Sequence, residues 1–299
     1  MKTVRQKAFA KLNLFLDIVG ESNGFHMLDS VVTTVSLYDE VIVSTRKDGK
    51  IVLKTQGSLY SVTQGVDNNV YRAAEAFRKK YGTLGADVTL HKFIPVSSGM
   101  GGSSADIVAT IVAMKKLYGV DCDLKELADS LGSDAGYLLS GGFARLTGRG
   151  ENVSPIDTDK KMYFTVAVAE GGVNTAACYK KYDEITHHRP ATSAEEFIKK
   201  LSDGTLCGSD YHNALYAPAK LINPNVEKVF DTMLSLSPNG AGMTGSGSGV
   251  FGVFETVELC RWAAEKMRAV AKDVFVCESV LPEKEEKSGL FGRNIYSLD

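Results

Sequence analysis

The chain has 299 residues, 44% of them hydrophobic and 23% charged, which allows a full core and enough length for two domains. Its formal net charge of −2, with Lys and Arg dispersed among carboxylates, offers no basic stripe for nucleic acid, and no apolar run reaches membrane-spanning length. The N-terminal residues lack a signal-peptide core, and five cysteines with no CxxC pair argue against a disulfide framework or a zinc site, so reduced thiols and a cytoplasmic protein are expected.

Thr3 to Val19 reads as two extended runs around Ala10-Lys11-Leu12-Asn13, with a loop from Gly20 to Gly24. Val31 to Leu37, Glu40 to Thr45 and Ile51 to Thr55 are rich in β-branched residues and read as strands. Asn68 or Asn69 can cap a helix that passes through Val70, Ala73, Ala74, Phe77 and Tyr81 and stops at Gly82. Ala86 to Ile94 alternates as a half-buried strand does, and Pro95 ends its pairing. A glycine-dense turn follows, and the apolar stripe Ile107, Ile111, Met114 and Leu117 predicts a helix from Ser103 or Ser104.

That strand-turn-helix junction has the form of a phosphate cradle. Gly99, Gly101 and Gly102 can take positive φ and let a polyanion approach the backbone, while the helix N-terminus offers free N–H groups and a favourable dipole. Ser103 or Ser104 stands where a cap, a phosphate contact or a metal ligand is needed. The Walker lysine and the third glycine of GxGxxG are both missing, so the basic partner of the phosphates must come from elsewhere in the chain.

Leu124 to Leu131 reads as a short helix stopped by Gly132, Ser133-Asp134 begins the next element, and Phe143 to Thr147 is extended. The polar stretch from Asp157 to Lys161 divides the chain into domains 1–156 and 157–282, with 283–299 expected to be a mobile tail. In the second half, strands are expected at Met162 to Val168, Val250 to Phe254 and Val274 to Val280. Helices are expected at Thr175 to Tyr182, Ala194 to Leu201, Asn213 to Leu221, Asn225 to Leu236 and Val257 to Val270. The pair His187-His188 sits in a polar loop without ligand partners at metal spacing, and Gly240 to Gly249 reads as a second glycine-rich loop. Strands and helices mix without strict alternation, which indicates an α+β fold.

Two glycine-rich loops, one lysine between early strands and one aspartate at a helix junction point to phosphoryl transfer onto a hydroxyl. The segments Ala10 to Leu16, Gly24-Phe25-His26, Ile94 to Asp106, Leu131 to Asp134, Gly141-Gly142, Thr147 to Glu151 and Gly242 to Gly247 together resemble the motifs of the GHMP-superfamily small-molecule kinases. The resemblance implies a two-domain α+β fold with the active site in the interdomain cleft, ATP with Mg2+ over the central loop, and a small-molecule alcohol facing it. It assigns Lys11 and Asp134 as the catalytic pair, and Pro95, Ser98, Gly99, Gly101, Gly102, Ser103 and Ser104 to ATP, with Ser104 also a candidate metal ligand. Asn13, Thr175 and Gly245 fall to the acceptor. Phe25, His26 and Tyr179 imply an acceptor that carries a base, a cytidine-diphosphate sugar alcohol, with Phe25 and Tyr179 as stacking faces.

Five positions depart from that pattern: Ser103 replaces a glycine, Ala135-Gly136 a valine-proline pair, Asn174 a serine and Tyr216 a glutamate. The alternatives are another GHMP kinase with a mevalonate-, homoserine- or sugar-type acceptor, or a noncatalytic nucleotide-binding protein of the same fold. No nucleic-acid or membrane partner is implied, and a monomer or homodimer is expected.

Overall fold

Residues 3–45 fold as one long hairpin, β1 (Thr3–Ser22) antiparallel to β2 (Phe25–Thr45), turned at Asn23-Gly24, both at positive φ. The computed structural model describes residues 2–186, 190–284 and 293–294. The break expected around Ala10 to Asn13 is instead a pair of register shifts, between Phe9 and Lys11 and between Asn13 and Phe15, inside a continuous strand. Such irregularities re-aim side chains without ending the pairing, and these two bracket Lys11 and Asn13. The two runs expected between Val31 and Thr45 are likewise one strand, and Gly20 to Ser22 belong to β1 rather than to a loop.

The first half continues with β3 (Ile51–Thr55), α1 (Asn69–Tyr81), β4 (Ala86–His91), α2 (Gly102–Tyr118), α3 (Lys125–Leu131), α4 (Ala135–Ser140), β5 (Phe143–Gly148) and the unanticipated β6 (Asn152–Pro155). The second half holds β7 (Tyr163–Val168), α5 (Thr175–Asp183), α6 (Ala194–Asp203), β8 (His212–Asn213), α7 (Tyr216–Ile222) and α8 (Asn225–Ser235). Then come β9 (Gly240–Met243), β10 (Gly249–Phe254), α9 (Val257–Met267), β11 (Asp273–Glu278), and the pair β12 (Glu283–Lys284) with β13 (Arg293–Asn294). The remainder of the expected tail, and His187-His188, lie outside the described residues.

Two sheets organise these elements. One runs β3-β4-β2-β1-β8 with β5 joined to β2 and β6 to β5, and the other runs β11-β7-β10-β9. The helix α2 is apolar nearly all round because it packs between α1 and the hairpin, with Val108, Ile111 and Met114 fully buried. A shared core joins the sheets: Leu12, Leu14 and Ile94 from the first lobe pack with Phe164, Phe197 and Phe251 from the second. Part of the seam between the lobes is therefore a continuous apolar core.

Two expectations in the second half fail for physical reasons. The helix expected from Asn213 starts only at Tyr216, because Asn213 pairs in β8 and its Nδ2 donates to Met243 O at 2.6 Å and Gly245 O at 2.9 Å. The glycine run from 240 to 249 is not one loop: 240–243 is β9. A Cβ on Gly240 would come within 2.0 Å of the Tyr211 ring and one on Gly242 within 2.7 Å of Phe251, so these glycines serve packing rather than turning.

Beneath α2 lies a buried ionic cluster. Lys92 Nζ donates to Asp39 Oδ2 at 2.5 Å and to Asp106 Oδ2 at 2.6 Å, and Asp39 Oδ1 accepts from the N–H groups of Phe93 and Ile94. Burial works against the Lys92 charge, but Asp106 and Asp39 outweigh it and raise its pKa. Burial pushes the Asp106 carboxyl well above the usual carboxylate range, with Lys92 opposing and Asp39 adding to the rise. Among the described residues Asp106 Oδ1 has no hydrogen-bond partner.

An acid whose folded pKa exceeds its unfolded value binds more protons in the folded state between the two, so stability falls as pH rises from about 4 toward the folded value. Asp106→Asn removes that fall. Urea midpoints from pH 4 to 8 are expected to show the variant gaining on the wild type as pH rises, by about 1.4 kcal/mol for each unit by which the folded pKa is raised. A constant difference across the range contradicts the assignment.

Candidate active site

The cradle forms where β4 leaves the first sheet. Gly99 at φ +75° and Gly101 at φ +69° supply the positive-φ turns, whereas Gly102 is the first residue of α2. Neither Ser103 nor Ser104 caps the helix; the N-cap is Gly101, with no side-chain bond. The first bond into the helix runs from Ala105 N to Gly101 O, which leaves the N–H groups of Gly102, Ser103 and Ser104 at the cleft. A capping side chain would have occupied the anion's place.

Glycine at 102 has a steric cause. Its Cβ would stand 2.9 Å from Ile94 Cγ2 and 3.0 Å from Lys92 Nζ. Ser98 is buried and its hydroxyl donates to Pro95 O at 2.7 Å, so it braces the loop from within. Ser103 is exposed and accepts from Asn69 Nδ2 at the start of α1, so the serine that replaces a glycine tethers the loop instead of crowding it.

Lys11 is buried on β1, and its Nζ donates to Asn13 Oδ1 at 2.6 Å and lies 3.7 Å from Asp134 Oδ2. Asp134 precedes α4 but makes no capping bond, and its side chain is 30% exposed, so the carboxylate stays open to the cleft. Gly101 lies between the two: a Cβ there would be 3.0 Å from Lys11 Cγ and 3.4 Å from Asp134 Oδ2. The strand and the cradle are joined by the bond from Lys11 N to Met100 O at 2.9 Å.

The second glycine-rich loop supports this arrangement from the other lobe. Asn13 N donates to Thr244 Oγ1 at 3.1 Å, Gly245 N donates to Asn13 Oδ1 at 3.0 Å, and Thr175 and Ser246 pair their hydroxyls at 2.9 Å. Tyr179, one turn along α5, lines the same cleft; burial pushes its hydroxyl up to about 12, with the Asp134 charge adding to the shift.

The cleft measures about 620 Å3, within the size range of ligand pockets. Every residue assigned from the sequence lines it except Phe25 and His26, which sit at the hairpin tip. There the Phe25 ring is about half exposed under the Arg149 guanidinium, 4.0 Å from its centroid, and His26 stacks on Tyr179 at 5.0 Å. Tyr216 takes no part, since its ring packs 4.6 Å from Phe230 outside the cleft.

Sequence reasoning missed Thr244, Ser246, Asn69, Lys92 and Asp183. Only Thr244 and Ser246 carried a signal, by lying inside a quoted motif. Among the described residues no group of three or more His, Cys, Asp or Glu is placed to hold a metal, and no helix is long and apolar enough to cross a membrane.

The model of the GHMP kinases N terminal domain matches residues 68–144, and that of the GHMP kinases C terminal region matches 195–270. The chain is 31% identical over 288 residues to the 4-diphosphocytidyl-2-C-methyl-D-erythritol kinase of Alkaliphilus metalliredigens, covering 93% of this chain and 97% of that one. It is 30% identical to that of Clostridium kluyveri, covering 92% and 99%. A crystal structure of 4-(cytidine 5'-diphospho)-2C-methyl-D-erythritol kinase superposes with a TM-score of 0.78 at 30% identity, covering 92% of this chain and 98% of that chain. Homoserine kinase from Cytophaga hutchinsonii, at 18% identity and a TM-score of 0.70, shares the fold. With both family models matched and relatives alike over nearly the full length, the chain belongs to the GHMP kinases, in the family of the 4-diphosphocytidyl-2-C-methyl-D-erythritol kinases.

Proposed function

We propose that the chain is a cytoplasmic kinase that transfers the γ-phosphoryl group of ATP to the 2-hydroxyl of 4-diphosphocytidyl-2-C-methyl-D-erythritol, in non-mevalonate isoprenoid precursor synthesis. The observation that carries the reaction is the Lys11–Asp134 pair, 3.7 Å apart in one cleft with the open N-terminus of α2. The acceptor's identity is taken from the full-length relatives, and the aromatic groups at the hairpin tip fit the base it carries. Residues 1–156 supply the nucleotide side of the cleft and 157–282 supply Thr175, Tyr179 and Gly245 on the acceptor side.

The free N–H groups of Gly102, Ser103 and Ser104 hold the phosphates of ATP. Asp134 accepts the proton of the acceptor hydroxyl as its oxygen attacks the γ-phosphorus, and ADP leaves with the broken bridging oxygen. Lys11, fixed by Asn13, offsets the charge that develops on the transferred group. The donor set suits Mg2+ carried by the nucleotide, since the Ser104 hydroxyl lies in the cleft and no carboxylate cage stands there among the described residues. Ser104 would hold that ion beside the phosphates, where it would supply charge neutralisation.

Asp134→Asn is expected to lower kcat by about 10³-fold while ATP still binds, and Lys11→Met by about 10²-fold, both read as ADP release with the cytidyl substrate. Wild-type rates in Asp134→Asn would remove the assignment of the base. Phe25→Ala is expected to raise KM for the cytidyl substrate about tenfold with little change in KM for ATP, since a base–aromatic stack is worth roughly 1–3 kcal/mol. Equal effects on both substrates would place Phe25 outside base recognition.

A further inference from the structure

His26, the second residue of β2, is held by one face of α5. Its Nε2 lies 2.7 Å from Asp183 Oδ1, its ring stacks on Tyr179 at 5.0 Å and 28°, and Tyr182 meets it edge-on at 5.7 Å and 89°. Positions 179, 182 and 183 are spaced i, i+3 and i+4, so a single helix face makes the hydrogen bond, the stack and the edge contact. The ring therefore has little freedom to turn.

The hydrogen bond has a chemical consequence. An ionised carboxylate only accepts, so His26 Nε2 carries a proton, and in the neutral ring Nδ1 is left as an acceptor. Among the described residues Nδ1 has no hydrogen-bond partner. The same helix starts at Thr175, whose hydroxyl reaches Ser246 in the cleft, and Asp183 follows eight residues later, about 12 Å along the axis. A ligand that touches both ends of α5 is extended, as a diphosphate-linked base is.

We infer that Asp183 is a positioning residue that fixes the tautomer of His26, so that Nδ1 presents an acceptor to the base of the substrate. This selects cytosine, whose exocyclic amine donates, over uracil, whose carbonyl at the same position only accepts. The inference rests on the cytidyl-substrate reading and names the group that enforces it. Tyr179 and Tyr182 hold the plane of the ring, and Asp183 decides which nitrogen is bare. Asp183 itself is about half exposed and packs in no core, so its loss does not threaten the fold.

The test compares kcat/KM for 4-diphosphocytidyl-2-C-methyl-D-erythritol with that for its uridyl counterpart, in the full chain with saturating Mg-ATP. The wild type is expected to favour the cytidyl compound by roughly a hundredfold, since a site that hydrogen-bonds its substrate rejects an analogue that leaves it unpaired. Asp183→Ala is expected to lose about tenfold of that ratio through KM for the cytidyl compound, with kcat and KM for ATP within about twofold. Asp183→Asn, whose amide oxygen still accepts from Nε2, is expected to keep most of the preference. Nitrogen-15 shifts of the His26 ring should report protonated Nε2 in the wild type and in Asp183→Asn, and a mixture of tautomers in Asp183→Ala.

An unchanged ratio in Asp183→Ala, or a proton on Nδ1 alone in the wild type, overturns the inference and leaves the kinase reading intact. A wild type that phosphorylates the cytidyl and uridyl compounds equally overturns the inference together with base recognition.

Discussion

Where the loop at residues 95–101 meets the loop at residues 244–248, there is no room for a side chain at Gly99 or Gly245. A Cβ on Gly99 would stand 2.0 Å from Thr244 O, and one on Gly245 would stand 2.8 Å from Gly99 O. The two lobes therefore meet backbone to backbone, tied by Gly249 N to Ser98 O at 3.0 Å and Thr244 Oγ1 to Gly99 O at 3.2 Å. From this seam the hydrogen bonds run inward. Thr244 and Gly245 hold Asn13, and Asn13 holds Lys11 at the distance that faces Asp134. A displacement of about 1 Å at the seam would reach the reacting groups, and misplacement of that size costs roughly a hundredfold in rate.

The cradle lacks a lysine of its own, and the structure shows what stands in for it. Lys92 reaches the base of the loop but is committed to Asp39 and Asp106, so it props the first turn of α2 from below. Lys11 comes from the middle of β1 and Arg149 from the turn between β5 and β6, the latter resting on Phe25. Positive charge thus converges on the cleft from separate elements, while the backbone at the start of α2 turns its N–H groups toward the same space. Of these cations, Lys11 is the one paired with Asp134.

The parts of the fold that local chemistry dictates were legible. Asn68 caps α1 through Val70 N and Gly82 ends it in the left-handed region, as their residue types require. What was not legible depended on partners far away in the chain. Glycine at 240 or 242 looks like glycine in a turn until the rings of Tyr211 and Phe251 are in place. Serine at 103 looks like a cap until the orphan N–H groups of α2 are left to the cleft and its hydroxyl turns to Asn69. Asn13 and Thr244 are 231 positions apart, and the His26–Asp183 contact spans 157, separations at which neither periodicity nor spacing carries a signal. Motif resemblance could name Lys11 and Asp134, which the structure brings together in one cleft, because it encodes such long-range placement without revealing its cause.

The departures from the family pattern decide between a working enzyme and a protein that has kept only the fold. Asn174, in place of serine, caps α5 by accepting from Ala177 N at 2.9 Å, a task both residue types perform. Gly136, in place of proline, leaves space for Asp129, whose Oδ1 would lie 2.1 Å from any Cβ there, and Asp129 is itself paired with Lys125. Ser103 has Asn69, and Tyr216 has Phe230. Each of these four changes is answered by a local partner that keeps the loop, the helix or the packing it belongs to. Relaxed selection leaves unanswered changes, and it has no reason to maintain a buried lysine against an open aspartate, a pairing that does little for the fold. The compensated departures and the retained pair together support turnover over nucleotide binding alone.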